Sequence, residues 1–257
     1  MADDVRHFIK KHFGGSPSNQ VTLIGHSMGA KTALTLALES PELVADVVAI
    51  DNAPIRLPLL EDFDRYIEAM RQIERARVTT LTQADEILKE YEKSSQIRLF
   101  LLTNLTAQPK DKDKGKGGFL KFRVPIDVLA RALGPLGDFP FPVGGHGHGH
   151  GHGQGHGHHG HDHGHGHGHH GHGHDTPRFD KPTLFIRALR SHYIPDWATS
   201  HIDRYFPNST VVDIDCGHWI VQEKPREFQE VTIDFLTRNL ANPGNGNGSS
   251  RRGKELR

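Results

Sequence analysis

The sequence predicts an α/β protein: a parallel sheet with flanking helices, interrupted by a long helical insertion and a Gly/His tract. Three observations predict it. Residues 21–24 form a short apolar run ended by Gly25, residues 30–39 are strong helix formers that stop before Pro41, and residues 44–50 form a second apolar run ending at Asp51. A buried strand, a tight turn, a helix and a second buried strand in that order make a parallel unit. Residues 60–133, in contrast, carry helical periodicity and no strong buried strand. Strand-like apolar runs return at 182–187 and 210–215.

The remaining elements follow in order. Val5, Phe8, Ile9 and Phe13 recur at helical spacing over residues 3–13, and Gly14-Gly15 stops that helix. The insertion has its clearest helices over 65–75, 84–93 and 96–105. A lysine- and glycine-rich loop at 110–118 precedes a short segment at 119–124, a helix at 126–133 and a Pro- and Gly-rich stretch at 134–143. A last helix is expected over 226–240. The chain therefore divides into core 1–54, a helical lid 55–142, a low-complexity insertion 143–177, core 178–242 and a disordered tail 243–257.

Lysine plus arginine and aspartate plus glutamate balance at 31 each, so no overall field favours nucleic acid or a membrane surface. The lone Cys216 allows no intramolecular disulfide and suits a reducing compartment. No apolar run reaches the length of a membrane span, and residues 1–6 resemble no signal or transit segment. A soluble, intracellular chain is the expectation. Residues 144–174 hold 15 of the 21 histidines. Their imidazoles can bind Ni²⁺, Zn²⁺ or Cu²⁺ weakly, but alternating glycines supply no fixed geometry, so no specific metal site and no cofactor is expected.

Chemistry enters at Gly25-His26-Ser27-Met28-Gly29. A G-x-S-x-G turn between a strand and a helix lifts a serine hydroxyl above the sheet, and the following backbone N–H, here that of Met28, faces a developing oxyanion. This is the nucleophile elbow of the α/β-hydrolase fold, with Ser27 as nucleophile. Its base is expected after the last strand, where His218 stands in Asp215-Cys216-Gly217-His218-Trp219. His7 and His12 lie on the first helix, His26 within the elbow, and His192 and His201 before the last strand, so each fits less well. For the acid, the position after the penultimate strand is occupied by Ser191, with Asp196 further on. Asp51 ends the strand after the elbow and is preferred, with Ser191 as a supporting hydrogen-bond partner; Asp196 and Asp127 are the alternatives. The order Ser27, Asp51, His218 matches the fold's usual order.

The run 25–33, Pro41 to Val44, 48–54, Phe100 to Leu105, Arg187 to Ile194 and 216–219 resemble one branch of this fold family. That branch is abhydrolase domain-containing protein 11 with its bacterial esterase and fungal mitochondrial relatives. The resemblance implies a lidded serine hydrolase of esters or thioesters and a small acyl substrate, with an aspartate at the Asp51 position and a serine at the Ser191 position assisting the histidine. An alternative within the family places the acid on the lid, at Asp127. The fold usually has further strands and a His-Gly oxyanion loop before the elbow strand, whereas here one helix precedes it. A truncated gene model or short isoform is the reading that follows, without the family's mitochondrial address. Such a chain would keep only the Met28 donor, and losing one oxyanion donor costs about 2.7–4 kcal/mol. An open sheet edge would invite self-association. Two further readings are an acyltransferase with an alcohol acceptor and a catalytically impaired binding or metal-buffering protein.

Overall fold

Continuous runs of β-branched and other apolar residues need cover on both faces, and a parallel sheet between helices provides it. A computed structural model describes residues 1–58, 61–108, 118–141 and 176–241. The Gly/His tract and the tail lie outside the described residues. Two compact units emerge: Met1–Ile55 with Phe139–Arg257, and Arg56–Asp138.

The first unit opens with α1 (Ala2–Phe13), closed by Gly14 in the left-handed conformation at φ 81°. Strand β1 (Val21–His26) leads into α2 (Met28–Glu39), and β2 (Val44–Ile50) follows. Helix α2 has Ala30, Leu34, Leu36 and Ala37 fully buried, because it packs against both β1 and β2. Strand β2 is buried along nearly its whole length, as a strand with neighbours on both sides should be. β1 departs from the expected buried strand. It ends the sheet order, its residues alternate between half-buried and exposed, and Ile24 is 52% exposed.

The second unit contains α3 (Glu61–Ala76), α4 (Leu81–Leu88), α5 (Ser95–Leu102), β3 (Leu105–Ala107), β4 (Leu120–Phe122) and α6 (Ile126–Leu136). Its core gathers Ile67, Met70, Ile73, Leu88, Phe122 and Ile126. Helix α4 starts earlier than the periodicity suggests because Thr80 and Gln83 form a reciprocal capping box. Helix α5 stops at Leu102, where the Thr103 hydroxyl donates to the Phe100 carbonyl. The chain then enters a small antiparallel pair, β3 with β4, which the sequence left unassigned. Helix α6 carries Pro135 in its last turn, where the missing N–H and the ring interrupt the hydrogen-bond ladder, and the helix ends at Leu136.

The first unit resumes with β5 (Thr183–Ala188), a seven-residue helix α7 (Thr199–Tyr205), β6 (Ser209–Ile214), a single turn α8 (Ile220–Glu223) and α9 (Pro225–Ala241). All four main strands are parallel in the order β1-β2-β5-β6. Ile50 is in register with His26 on one side and Ile186 on the other. The residues after the strands, Ser27, Asp51, Leu189 and Asp215, are thereby delivered to one edge. Ligand sites of open parallel sheets lie outside such carboxyl ends. Among the described residues, no helix is long and apolar enough to cross a membrane.

Candidate active site

The elbow forms where β1 turns sharply into α2. Ser27 sits at φ 55° and ψ −116°, a conformation that a non-glycine residue holds only when its surroundings impose it. Its N–H donates to the Ile50 carbonyl at 2.9 Å, and its own carbonyl accepts from the Lys31 N–H at 3.2 Å and Asn52 Nδ2 at 3.1 Å. Asn52 is buried and was not singled out by the sequence; its amide also accepts the Ala53 N–H. Strand, helix and the loop after β2 therefore all grip the serine backbone.

The two motif glycines differ in what they do. A Cβ on Gly25 would press on the Gly29 carbonyl and lie 2.7 Å from the Ala30 nitrogen, both backbone atoms that cannot move aside. A Cβ on Gly29 would meet nothing within 4 Å. Gly25→Ala is expected to lower stability by at least about 1–3 kcal/mol. Gly29→Ala, in the first turn of a helix, should melt at or above the wild-type temperature. Thermal unfolding of the two variants checks the contrast.

His218 lies in the loop between β6 and α8, with Nε2 3.0 Å from Ser27 Oγ and Nδ1 2.7 Å from Asp51 Oδ2. Asp51 is fully buried and holds φ 46°. Its N–H donates to the Ile186 carbonyl at 2.8 Å, and its Oδ1 accepts the Ala188 N–H at 3.2 Å. A carboxylate accepts only, so the proton between Asp51 and His218 sits on Nδ1. Nε2 is then bare and faces the serine hydroxyl. In this arrangement the imidazole can take the hydroxyl proton and Asp51 can stabilise the resulting cation.

The histidine loop is braced from several sides. Glu223 Oε2 accepts the Gly217 N–H at 2.8 Å, and the Arg190 N–H donates to the Cys216 carbonyl at 3.0 Å. The rings of Tyr193 and His26 lie 4.3 Å and 4.6 Å from that of His218.

The other expected residues have different partners. The Ser191 hydroxyl accepts the Tyr193 N–H at 3.3 Å and so closes the turn that presents Tyr193, whose ring lies against that of His218. Asp196 is 98% exposed on its side chain and is paired to Arg187 at 2.7 Å, which also grips Asp213 with two 2.7 Å bonds. Asp127 belongs to the second unit, on α6, and is ion-paired to Arg71 at 2.9 Å. His218 has one Nδ1, and Asp51 occupies it. The Met28 N–H opens α2, where it has no carbonyl four residues back within the helix to receive it.

Cys216, within this loop, is fully buried, and burial pushes its thiol up to about 11. Alkylation of the folded protein at neutral pH should be slower than that of the denatured chain by at least about a hundredfold. Quantitative thiol labelling with and without denaturant checks this. Among the described residues, no group of three or more His, Cys, Asp or Glu is placed to hold a metal ion.

Comparisons with known proteins give the site a context. A family model described as the alpha/beta hydrolase fold matches residues 1–87. Abhydrolase domain-containing protein C22H12.03 of Schizosaccharomyces pombe is 35% identical, covering 92% of this chain and 73% of its own length. A Saccharomyces cerevisiae protein named "Probable alcohol acetyltransferase" is 33% identical over 93% of this chain and 62% of its own. The sn-1-specific diacylglycerol lipase ABHD11 of Xenopus laevis is 32% identical over 83% and 57%. This chain thus spans less than two thirds of those last two relatives. Among solved structures, a marine microorganism esterase superposes with a TM-score of 0.67 over 91% of this chain and 76% of its own, at 24% identity, and shares the fold.

Proposed function

We infer that this chain, which belongs to the α/β-hydrolase fold family, is a serine hydrolase that cleaves carboxylic esters or thioesters through an acyl-serine intermediate. The observation that carries this reading is the unbroken relay from Ser27 Oγ to His218 Nε2 at 3.0 Å and from His218 Nδ1 to Asp51 at 2.7 Å. Ser27 Oγ attacks the acyl carbonyl carbon while Nε2 takes its proton. The carbonyl oxygen becomes an oxyanion beside the Met28 N–H. The imidazolium, held by Asp51, then gives its proton to the departing alkoxide or thiolate as the tetrahedral adduct collapses to the acyl-serine. Water activated by the same Nε2 releases the acid and restores the serine.

An alcohol can replace water in the last step without any other change to the chemistry. The alcohol acetyltransferase named among the relatives favours testing that acceptor. Purified protein is mixed with a nitrophenyl acyl ester or an acyl thioester, with and without ethanol, and free acid and ethyl ester are quantified. Release of the leaving group with free acid as the main product supports hydrolysis. Ethyl ester rising with ethanol at the expense of acid supports transfer. A folded protein that turns over neither substrate contradicts the reading.

A further inference from the structure

The second position of the elbow motif is formally variable, yet His26 there is among the best-connected side chains at this edge of the sheet. It is the last residue of β1, adjacent in sequence to Ser27 and in register with Ile50, the residue before Asp51. Its Nε2 lies 2.8 Å from the main-chain carbonyl oxygen of His218. Its ring is tilted against that of His218 at 4.6 Å and lies 5.9 Å from that of Trp219.

We propose that His26 is a positioning residue that locks the backbone of His218 to the strand carrying Ser27. A peptide carbonyl accepts and never donates, so the proton of this hydrogen bond sits on His26 Nε2. Other ties of the 215–219 loop join the His218 ring to Asp51 and to Ser27 Oγ, Asp215 to Arg190, Gly217 to Glu223, and the Cys216 carbonyl to the Arg190 N–H. The His26 bond joins the main chain of the base to the last strand residue before the nucleophile. It fixes the spacing between Nε2 of His218 and Oγ of Ser27, the distance across which the proton moves. Misplacement by about 1 Å at such a step can cost a hundredfold in rate.

Charge is consistent with this role. Burial lowers the tendency of His26 to protonate, and the neighbouring His218 acts in the same direction, while the hydrogen bond to the His218 carbonyl and the charge of Asp51 oppose them. A neutral ring beside His218 does not repel the imidazolium that forms there during acyl transfer.

The inference rests on the serine-hydrolase reading, and the test separates the two. His26→Gln keeps a donor that can reach the carbonyl; His26→Leu keeps comparable bulk and removes the donor. Two quantities are measured on wild type and both variants: steady-state kinetics with a nitrophenyl ester, and the low-field proton resonance of the His218 Nδ1–H shared with Asp51. The expected result is a fall in kcat of roughly tenfold or more for His26→Leu, with KM little changed and His26→Gln within about threefold of wild type. The low-field resonance should persist in wild type and His26→Gln and broaden or vanish in His26→Leu. Leu and Gln variants that behave alike in both measurements, or a loss confined to KM, would overturn the proposal. If wild type shows no turnover, the hydrolase reading fails, and the resonance alone still decides whether His26 positions His218.

Discussion

Ser27→Ala and His218→Ala should each lower kcat for an ester substrate by about 10⁶, and the double variant should lose no more than either alone. The two side chains perform one event: the hydroxyl becomes nucleophilic only as Nε2, 3.0 Å away, takes its proton. Once either is absent the other has nothing to do, which is the non-additivity seen when residues act as a unit. Residual catalysis then comes from substrate binding and the oxyanion donor alone. Kinetics on the three variants, with circular dichroism to confirm folding, check this. Additive losses would mean that serine and histidine act separately.

The second large effect is expected at Asp51. Its two oxygens have different partners: Oδ1 takes the Ala188 N–H, and Oδ2 takes His218 Nδ1–H. In Asp51→Asn the amide oxygen is needed by Ala188, so the NH₂ group turns to His218. That group donates, which forces Nδ1 to be bare and moves the ring proton to Nε2. The imidazole then presents a donor to the serine and cannot accept its proton. A fall in kcat of about 10⁴ follows, as for the same exchange in serine proteases. Little stability should be lost, because shape and hydrogen-bond count are kept. Asp196→Asn is the control and should stay close to wild type, since that carboxylate reaches Arg187 at the surface. Comparable losses in the two variants would shift the acid away from Asp51.

Much of this site could be read in the sequence because its determinants are local. An apolar run, a glycine-flanked serine and a run of helix formers are contiguous, so the elbow at residues 25–29 followed directly. Asp51 and His218 were found by their places after strands, which a parallel sheet necessarily brings to one edge. What escaped depends on partners distant in the chain. Strands β3 and β4 are three residues each and exist only by pairing with each other. Helix α7 is stabilised by burying Ile202 and Tyr205 rather than by its own propensity. Ser191 occupies the expected place for a supporting group, yet the turn it begins directs its hydroxyl to Tyr193. His26 gave no signal because its partner is a main-chain carbonyl 192 residues away. Asn52 was missed for the same reason: it binds the Ser27 backbone, and no motif records that.

If Ser27 is an activated nucleophile, a fluorophosphonate should label it covalently. The folded protein is treated with the probe and digested, and the modified peptide is identified by mass spectrometry. The expected result is one adduct, on Ser27, absent from Ser27→Ala and strongly slowed in His218→Ala. Folded wild-type protein that takes no adduct, or takes it on another residue, would contradict it.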